Sequence, residues 1–62
     1  MVGWDYYLNK KVWIVLNNNK EFTGEVIDVS SSNILTWITI IDRYNNRVTF
    51  LANEIKIIKE EL

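Results

Sequence analysis

The sequence predicts an all-β fold, a small, strongly bent five-stranded barrel with a short N-terminal helix. Short runs of β-branched and aromatic residues recur along the 62 residues, and asparagine clusters separate two pairs of them. Gly24 lies inside the second run, as a glycine does where a strand bends or bulges to serve both sides of a barrel. A meander with tight connections closes most economically in this way, so we expect residues 1–62 to form one domain.

The first segment, residues 1–9, predicts a short helix. Trp4, Tyr7 and Leu8 are spaced to share one face of it. So short a helix needs a surface to lie on, and we expect it to cover an open end of the barrel. Alternatively, Trp4, Tyr6 and Tyr7 form a surface for stacking or for a partner.

A β-hairpin follows, with strands over 11–16 and 21–29 and a turn at the asparagines of 17–19. Asparagine tolerates positive φ better than other non-glycine residues, so the cluster is typical of a tight turn. The second strand alternates, with three residues on its inner side: Phe22, Gly24 and Val26. Beyond Gly24 the alternation stops, which predicts burial of both faces there.

The remaining elements are equally short. The third strand is apolar on both faces, and the turn after it repeats the asparagine pair. We expect the final residues to fray. The predicted bounds are 34–41 for the third strand, 42–46 for the turn, 48–51 for the fourth strand, 52–54 for a 3₁₀ step, 55–58 for the fifth strand and 59–62 for the frayed tail.

The composition predicts self-association. Apolar residues make up 48% of the chain and include three Trp, three Tyr and two Phe, a heavy load for so short a chain to bury alone. Domains below about 70 residues seldom obtain more than about 3–5 kcal/mol from one core, and oligomerisation is a common remedy. We therefore expect a homo-oligomer held together at the edges of the fourth and fifth strands.

Several classes of chemistry are excluded by composition. The chain has no cysteine and no histidine, and no glycine-rich phosphate loop or nucleophile motif occurs, so we expect no enzyme and no cofactor. Asp28 and Asp42 are the carboxylates that could form an acid–base pair. Their positions at a strand exit and a turn instead favour local hydrogen bonding, with a carboxylate-only divalent-ion site as the alternative.

Charge and hydropathy limit the kinds of partner, nucleic acid or membrane, that the protein can be expected to bind. The net charge is −1 and the isoelectric point about 5.2, so no overall positive field gathers nucleic acid. No apolar stretch approaches the roughly 18 residues that span a bilayer. We expect a soluble, cytoplasmic protein with no membrane partner.

The order of elements resembles the Sm-like family, whose members have an N-terminal helix, five bent strands with a glycine in the second, and ring assemblies that bind RNA. The likeness extends over nearly the whole chain. In the family's first motif an apolar residue, an aspartate and an asparagine follow that glycine. Val26 matches the apolar step, Ser30 stands where the aspartate is expected, and Asn33 lies one residue early for the asparagine.

The family's second motif has an apolar residue, Arg-Gly, a variable residue and an apolar step. Residues 50–55 reproduce the spacing, but Leu51 and Ala52 replace the Arg-Gly pair, so the family's RNA-holding arginine has no counterpart. The resemblance implies that Asn33 and Asn53 are polar groups near a ring pore. Src-homology-3-like barrels outside the family share the same plan of strands.

Basic and aromatic residues cluster at the hairpin tips. Lys20 lies in the first turn, and Tyr44 lies between Arg43 and Arg47 in the second; such a mixture stacks on bases while holding phosphates. Hairpin tips also carry such residues without any function. Trp13 and Trp37 could form a stacking platform if exposed, although core or subunit packing is the commoner use of tryptophan in strands.

The sequence therefore predicts a non-enzymatic, oligomeric Sm-like module that binds RNA or another single-stranded nucleic acid. The predicted binding residues are Lys20, Asn33, Arg43, Tyr44, Arg47 and Asn53. The alternative is a protein-interaction or assembly module that binds no nucleic acid. The missing Arg-Gly pair and the net negative charge favour this alternative, and the order of the elements favours the nucleic-acid-binding module.

Overall fold

A computed structural model describes residues 3–61, which form a five-stranded antiparallel sheet with spatial order β4-β3-β2-β1-β5. The all-β class is therefore confirmed. Short 3₁₀ turns at Trp4–Tyr7 and Ala52–Glu54 are the helical elements of this part of the chain. The strands are β1 (Lys11–Leu16), β2 (Glu21–Ser31), β3 (Thr36–Ile41), β4 (Arg47–Leu51) and β5 (Ile55–Glu60).

The long strand β2 joins two halves of the sheet. Its residues 21–25 pair with β1, and its residues 25–31 pair with β3. The register shifts between Val26 and Asp28, so the bulge lies at Ile27 and not at Gly24, where the sequence placed a bend or bulge. Gly24 is required for a different reason: a Cβ atom on it would lie 2.5 Å from the carbonyl oxygen of Ile41.

The bulge also explains why the alternation in β2 stops after Gly24. Val26 is buried and Val29 packs against the core, so the extra residue, Ile27, keeps both valines on the inner side. Asp28 is exposed. The expectation that both faces of β2 are buried here is therefore wrong at Asp28.

The core lies between the two halves of the bent sheet. The rings of Phe22 and Phe50 meet near its centre, with centroids 5.0 Å apart. Both asparagine turns have the expected geometry, since Asn19 and Asn45 have φ angles of 69° and 67°. The buried cluster consists of Val12, Ile14, Val26, Ile38, Ile40 and Phe50.

Four predicted boundaries were wrong. β2 runs two residues further than predicted, and β3 begins two residues later, which leaves Ile34 in the connecting loop at 87% exposure. β5 continues to Glu60 because its last residues pair with the first residues of β1, so the predicted fraying does not begin at Lys59. β4 begins at Arg47, one residue early.

The N-terminal 3₁₀ turn packs on the sheet through Trp4 and Tyr7, both in contact with the core. Leu8 does not share their face and is 38% exposed. A 3₁₀ turn has three residues per turn, so Trp4 and Tyr7 align while a residue four positions on does not. The helical spacing assumed from the sequence was therefore wrong for Leu8.

Strands β4 and β5 are the two edges of the sheet. Within residues 3–61 they do not pair with each other, so the sheet is open and closure into a barrel stays a prediction. Among the same residues, no helix has the length and hydropathy to cross a membrane.

Candidate nucleic-acid interface

The turn between β3 and β4 (residues 42–46, the second turn) is fixed by one aspartate. The Asp42 carboxylate Oδ1 accepts hydrogen bonds from the backbone N–H groups of Tyr44 and Asn46, both at 2.9 Å. The Asp42 N–H donates to the Asn46 carbonyl at 3.0 Å, and the Asn45 N–H donates to the Asp42 carbonyl at 3.0 Å. The backbone that carries the neighbouring side chains is therefore well defined.

Three predicted site residues project from this turn into solvent. Tyr44 is 75% exposed, and the Arg43 guanidinium carbon lies 5.9 Å from the centre of its ring. Arg47 is exposed at the start of β4. Across residues 3–61 the ion pair formed is Lys10 with Glu60, so neither arginine forms an ion pair with a described carboxylate.

The other predicted residues lie elsewhere. Lys20 is in the turn between β1 and β2 (residues 17–20, the first turn), which contacts Asn53 through a hydrogen bond from Asn17 Nδ2 to the Asn53 carbonyl. The two turns lie at opposite ends of β1. Its last residue borders the first turn, and its first residue, Lys11, lines a cleft with Arg43 of the second turn. The five steps from one end of β1 to the other span roughly 17 Å.

Asn33 lies in the exposed loop between β2 and β3. Trp37, near the start of β3, pairs with Leu51, the residue that precedes the turn containing Asn53. Asn33 and Asn53 therefore share the end of β3 and β4 that is remote from the second turn. The six predicted residues do not form one cluster: Arg43, Tyr44 and Arg47 lie together, and the others lie at the far end.

Beside the second turn is a cleft of about 460 Å³ that sequence reasoning missed. Its floor comes from neighbouring strands, since Lys11 pairs with Glu25, and Glu25 pairs with Ile41. The alternation Glu21-Thr23-Glu25 indicated outward-facing polar residues, but only the bend of β2 brings them next to the turn. The lining residues are Lys11, Thr23, Gly24, Glu25, Ile41, Asp42, Arg43 and Glu61.

Both strand tryptophans lie outside the core. Trp13 and Trp37 are half-buried and belong to the outer face, since the residues that flank them along each strand include the buried Val12, Ile14 and Ile38. The indole N–H of Trp13 donates to Glu21 Oε1 at 3.0 Å, and Lys59 Nζ lies 5.9 Å from the Trp13 ring. Core packing is therefore wrong for both rings.

The N-terminal aromatics are engaged within the fold. Lys10 Nζ lies 3.4 Å from the centre of the Tyr6 ring, and the Tyr6 hydroxyl donates to Glu60 Oε1 at 3.0 Å. Trp4 and Tyr7 pack on the core. These contacts favour the covering role for this segment over a stacking surface.

Asp28 and Asp42, the two candidate carboxylates, do not share a site, since only Asp42 lines the cleft. No group of three or more metal-ligating side chains occurs among residues 3–61. Asp42 has the local hydrogen-bonding role expected of a turn aspartate, and Asp28 is exposed beside Thr39, in the middle of the β2–β3 pairing.

Neither a protein-family model, nor a curated protein, nor a solved structure matches the chain. The geometry of the second turn and its cleft therefore carries the functional argument.

Proposed function

We propose that the protein is a non-enzymatic, self-associating Sm-like small barrel that binds RNA or another single-stranded nucleic acid through its second turn. One observation carries this proposal: Tyr44, 75% exposed, lies between two arginines, neither of which forms an ion pair with a described carboxylate. An exposed ring offers a face on which a base stacks, and guanidinium groups hold the adjacent phosphates.

The electrostatics predict weak, salt-sensitive binding. The net charge of −1 means that attraction must come from the local cluster, not from the field of the whole protein. Each phosphate contact contributes about −0.7 to the log–log salt slope for a single strand. Two arginines therefore support a slope of about −1.4, so that the affinity falls about in proportion to this power of the salt concentration.

The Sm-like assignment rests on the element order and on the two open edges. Leu51 and Ala52, at the positions of the family's Arg-Gly pair, are half-buried and supply no cation. Asn33 and Asn53 are exposed at the opposite end from the second turn, so they serve as secondary contacts at most. Lys20, also at that end, adds one further phosphate contact.

Self-association is proposed to use the edges of β4 and β5, whose outward backbone groups can pair with strands of a second copy. Ile57, on β5, is 37% exposed on the outer face and pairs with Val15. Ile57→Glu should therefore give a folded monomer by light scattering. Phe50 is only 4% exposed, so Phe50→Glu should instead unfold the chain.

The binding proposal is tested by titrating labelled oligouridine and oligoadenine at a series of salt concentrations. Loss of both Arg43 and Arg47 should reduce the magnitude of the salt slope by about 1–1.5. A matched control removes Lys56 and Lys59, two exposed cations of β5, and should change the slope less. No binding by wild type at tens of micromolar protein would contradict the proposal.

A protein-interaction module is the second candidate. The observation that favours it is the exposure of two large apolar residues, Ile34 in the loop between β2 and β3 (87%) and Ile57 on the edge strand β5 (37%). Such groups mark surfaces that meet other proteins when they are contiguous. This candidate would be supported if the protein failed to bind oligonucleotides and if Ile57→Glu lowered the mass of its oligomer in light scattering.

A further inference from the structure

The cleft beside the second turn has the size and composition of a binding site for one nucleotide unit. Its volume of about 460 Å³ lies within the range of about 300–1,000 Å³ typical of small-ligand clefts. Arg43 belongs both to its wall and to the turn that displays Tyr44. A base stacked on Tyr44 would therefore have its neighbouring nucleotide at the mouth of the cleft.

Two cations line this cleft, each from a different element. Arg43 comes from the second turn, and Lys11 comes from the first position of β1. Lys11 is held in place by pairing, because its carbonyl oxygen accepts the Glu61 N–H at 2.7 Å and its partner across the sheet is Glu25. Together they can hold the phosphate of a nucleotide whose base enters between them.

Three carboxylates line the cleft, and Glu25 is the one whose residue lies within the paired strands, since Asp42 belongs to the turn and Glu61 lies beyond the last residue of β5. The Asp42 carboxylate is occupied by two backbone N–H groups of its own turn. The Glu25 side chain is exposed at a strand position fixed by pairing on both sides, and it forms no hydrogen bond or ion pair within residues 3–61. An ionised carboxylate only accepts hydrogen bonds, so a base must present donors to it.

We propose that the cleft selects guanine, with Glu25 accepting hydrogen bonds from the base. Guanine presents two adjacent donors, N1–H and the exocyclic amino group, which match the two oxygens of one carboxylate. Adenine and cytosine each place an acceptor beside their amino group, and uracil places acceptors on both sides of its N3–H. This inference rests on the proposed function and specifies the preferred ligand at the same site.

The test uses four labelled nine-residue RNAs, each oligouridine with guanine, adenine, cytosine or uracil at the centre. Wild-type protein should bind the guanine strand roughly five- to hundredfold more tightly than the uracil strand, the range for one bidentate base contact. Glu25→Gln should abolish this preference. A glutamine amide offers one acceptor and one donor, and each of the four bases presents a donor next to an acceptor that such an amide can pair with.

The control is Asp28→Asn, which removes an exposed carboxylate of β2 that does not line the cleft. Its effect should be equal on all four strands, because it changes only the general repulsion of phosphate. Urea unfolding should show the same midpoint for both variants and wild type.

Each other outcome is decisive. Equal binding of all four strands by wild type would overturn the guanine site and leave the proposed function intact. A guanine preference that survives Glu25→Gln would overturn the role of the carboxylate. Failure of every strand to bind would instead overturn the proposed function itself.

Discussion

The two asparagine turns share one backbone device and differ in what surrounds it. In each, an asparagine adopts positive φ, 69° at Asn19 and 67° at Asn45. Residues other than glycine seldom take this conformation, and asparagine takes it more readily than most. The difference between the turns therefore arises from their neighbours.

The first turn is exposed but is hydrogen-bonded to the rest of the fold. Asn17 donates twice, from its side chain to the Asn53 carbonyl and from its backbone N–H to the Glu54 carbonyl. Lys56 Nζ donates to the side-chain oxygen of Asn19 at 3.3 Å. The polar groups of this turn thus bind it to the 3₁₀ turn at Ala52–Glu54 and to the start of β5, and few of them remain for a ligand.

The second turn has the opposite arrangement. Its single polar anchor, Asp42, bonds only to the turn's own backbone, and Arg43, Tyr44 and Arg47 are exposed. An asparagine at positive φ thus occurs in both turns, but the first turn is bonded to another part of the fold and the second carries exposed side chains. Three predictions test this contrast, in order of decreasing effect.

Tyr44→Ala should weaken binding of a single strand by about 1–3 kcal/mol, because it removes the ring on which a base stacks. Tyr44→Phe keeps the ring and should bind like wild type. Fluorescence anisotropy with labelled oligouridine measures both. If Asn18→Ala, in the first turn, weakened binding as much as Tyr44→Ala, the two turns would not differ in function.

Asp42→Ala should lower the free energy of unfolding by about 1–2 kcal/mol, since two backbone N–H groups lose a charged acceptor. Asn18 caps only one, the Lys20 N–H at 3.0 Å, so Asn18→Ala should cost about half as much. Urea unfolding gives both values. Asp42→Asn retains the acceptor oxygen, and a loss as large as that of Asp42→Ala would show that this hydrogen bonding does not hold the turn.

Asn45→Ala should cost about 1 kcal/mol in unfolding free energy, because alanine is strained at positive φ. Asn19→Ala should cost slightly more, since the hydrogen bond from Lys56 is also lost. Glycine at either position should recover most of the loss. Thermal unfolding of the four variants measures the effect, and an Asn45→Gly protein less stable than Asn45→Ala would refute the role assigned to positive φ.

The sequence predicted the local elements well because they depend on local chemistry. The exact span of β1, the 3₁₀ step at Ala52–Glu54 and the asparagine turns all follow from neighbouring residues. The ends of β2 and β5 were missed because distant pairing decides them. Ser31 pairs with Thr36 and Glu60 with Val12, and polar residues alone would have indicated loops.

The arrangement of the candidate site was predicted in part. The sequence placed Arg43, Tyr44 and Arg47 together because residues adjacent in a turn must lie close to one another. The cleft was not predicted, because it depends on the bulge at Ile27 and the close approach of Gly24 to Ile41. A bulge adds one residue to an apolar run, and no residue type marks where the register shifts.

The network of Lys10, Tyr6 and Glu60 brings the two ends of the described chain into contact, with the Tyr6 hydroxyl 3.0 Å from the Glu60 carboxylate. Residues so close can be joined covalently through a short flexible linker and the chain reopened elsewhere. The exposed loop at 32–35 is the natural place to reopen the chain, because none of its residues takes part in strand pairing. A circular permutant opened there would begin with β3 and keep every pairing of the native sheet.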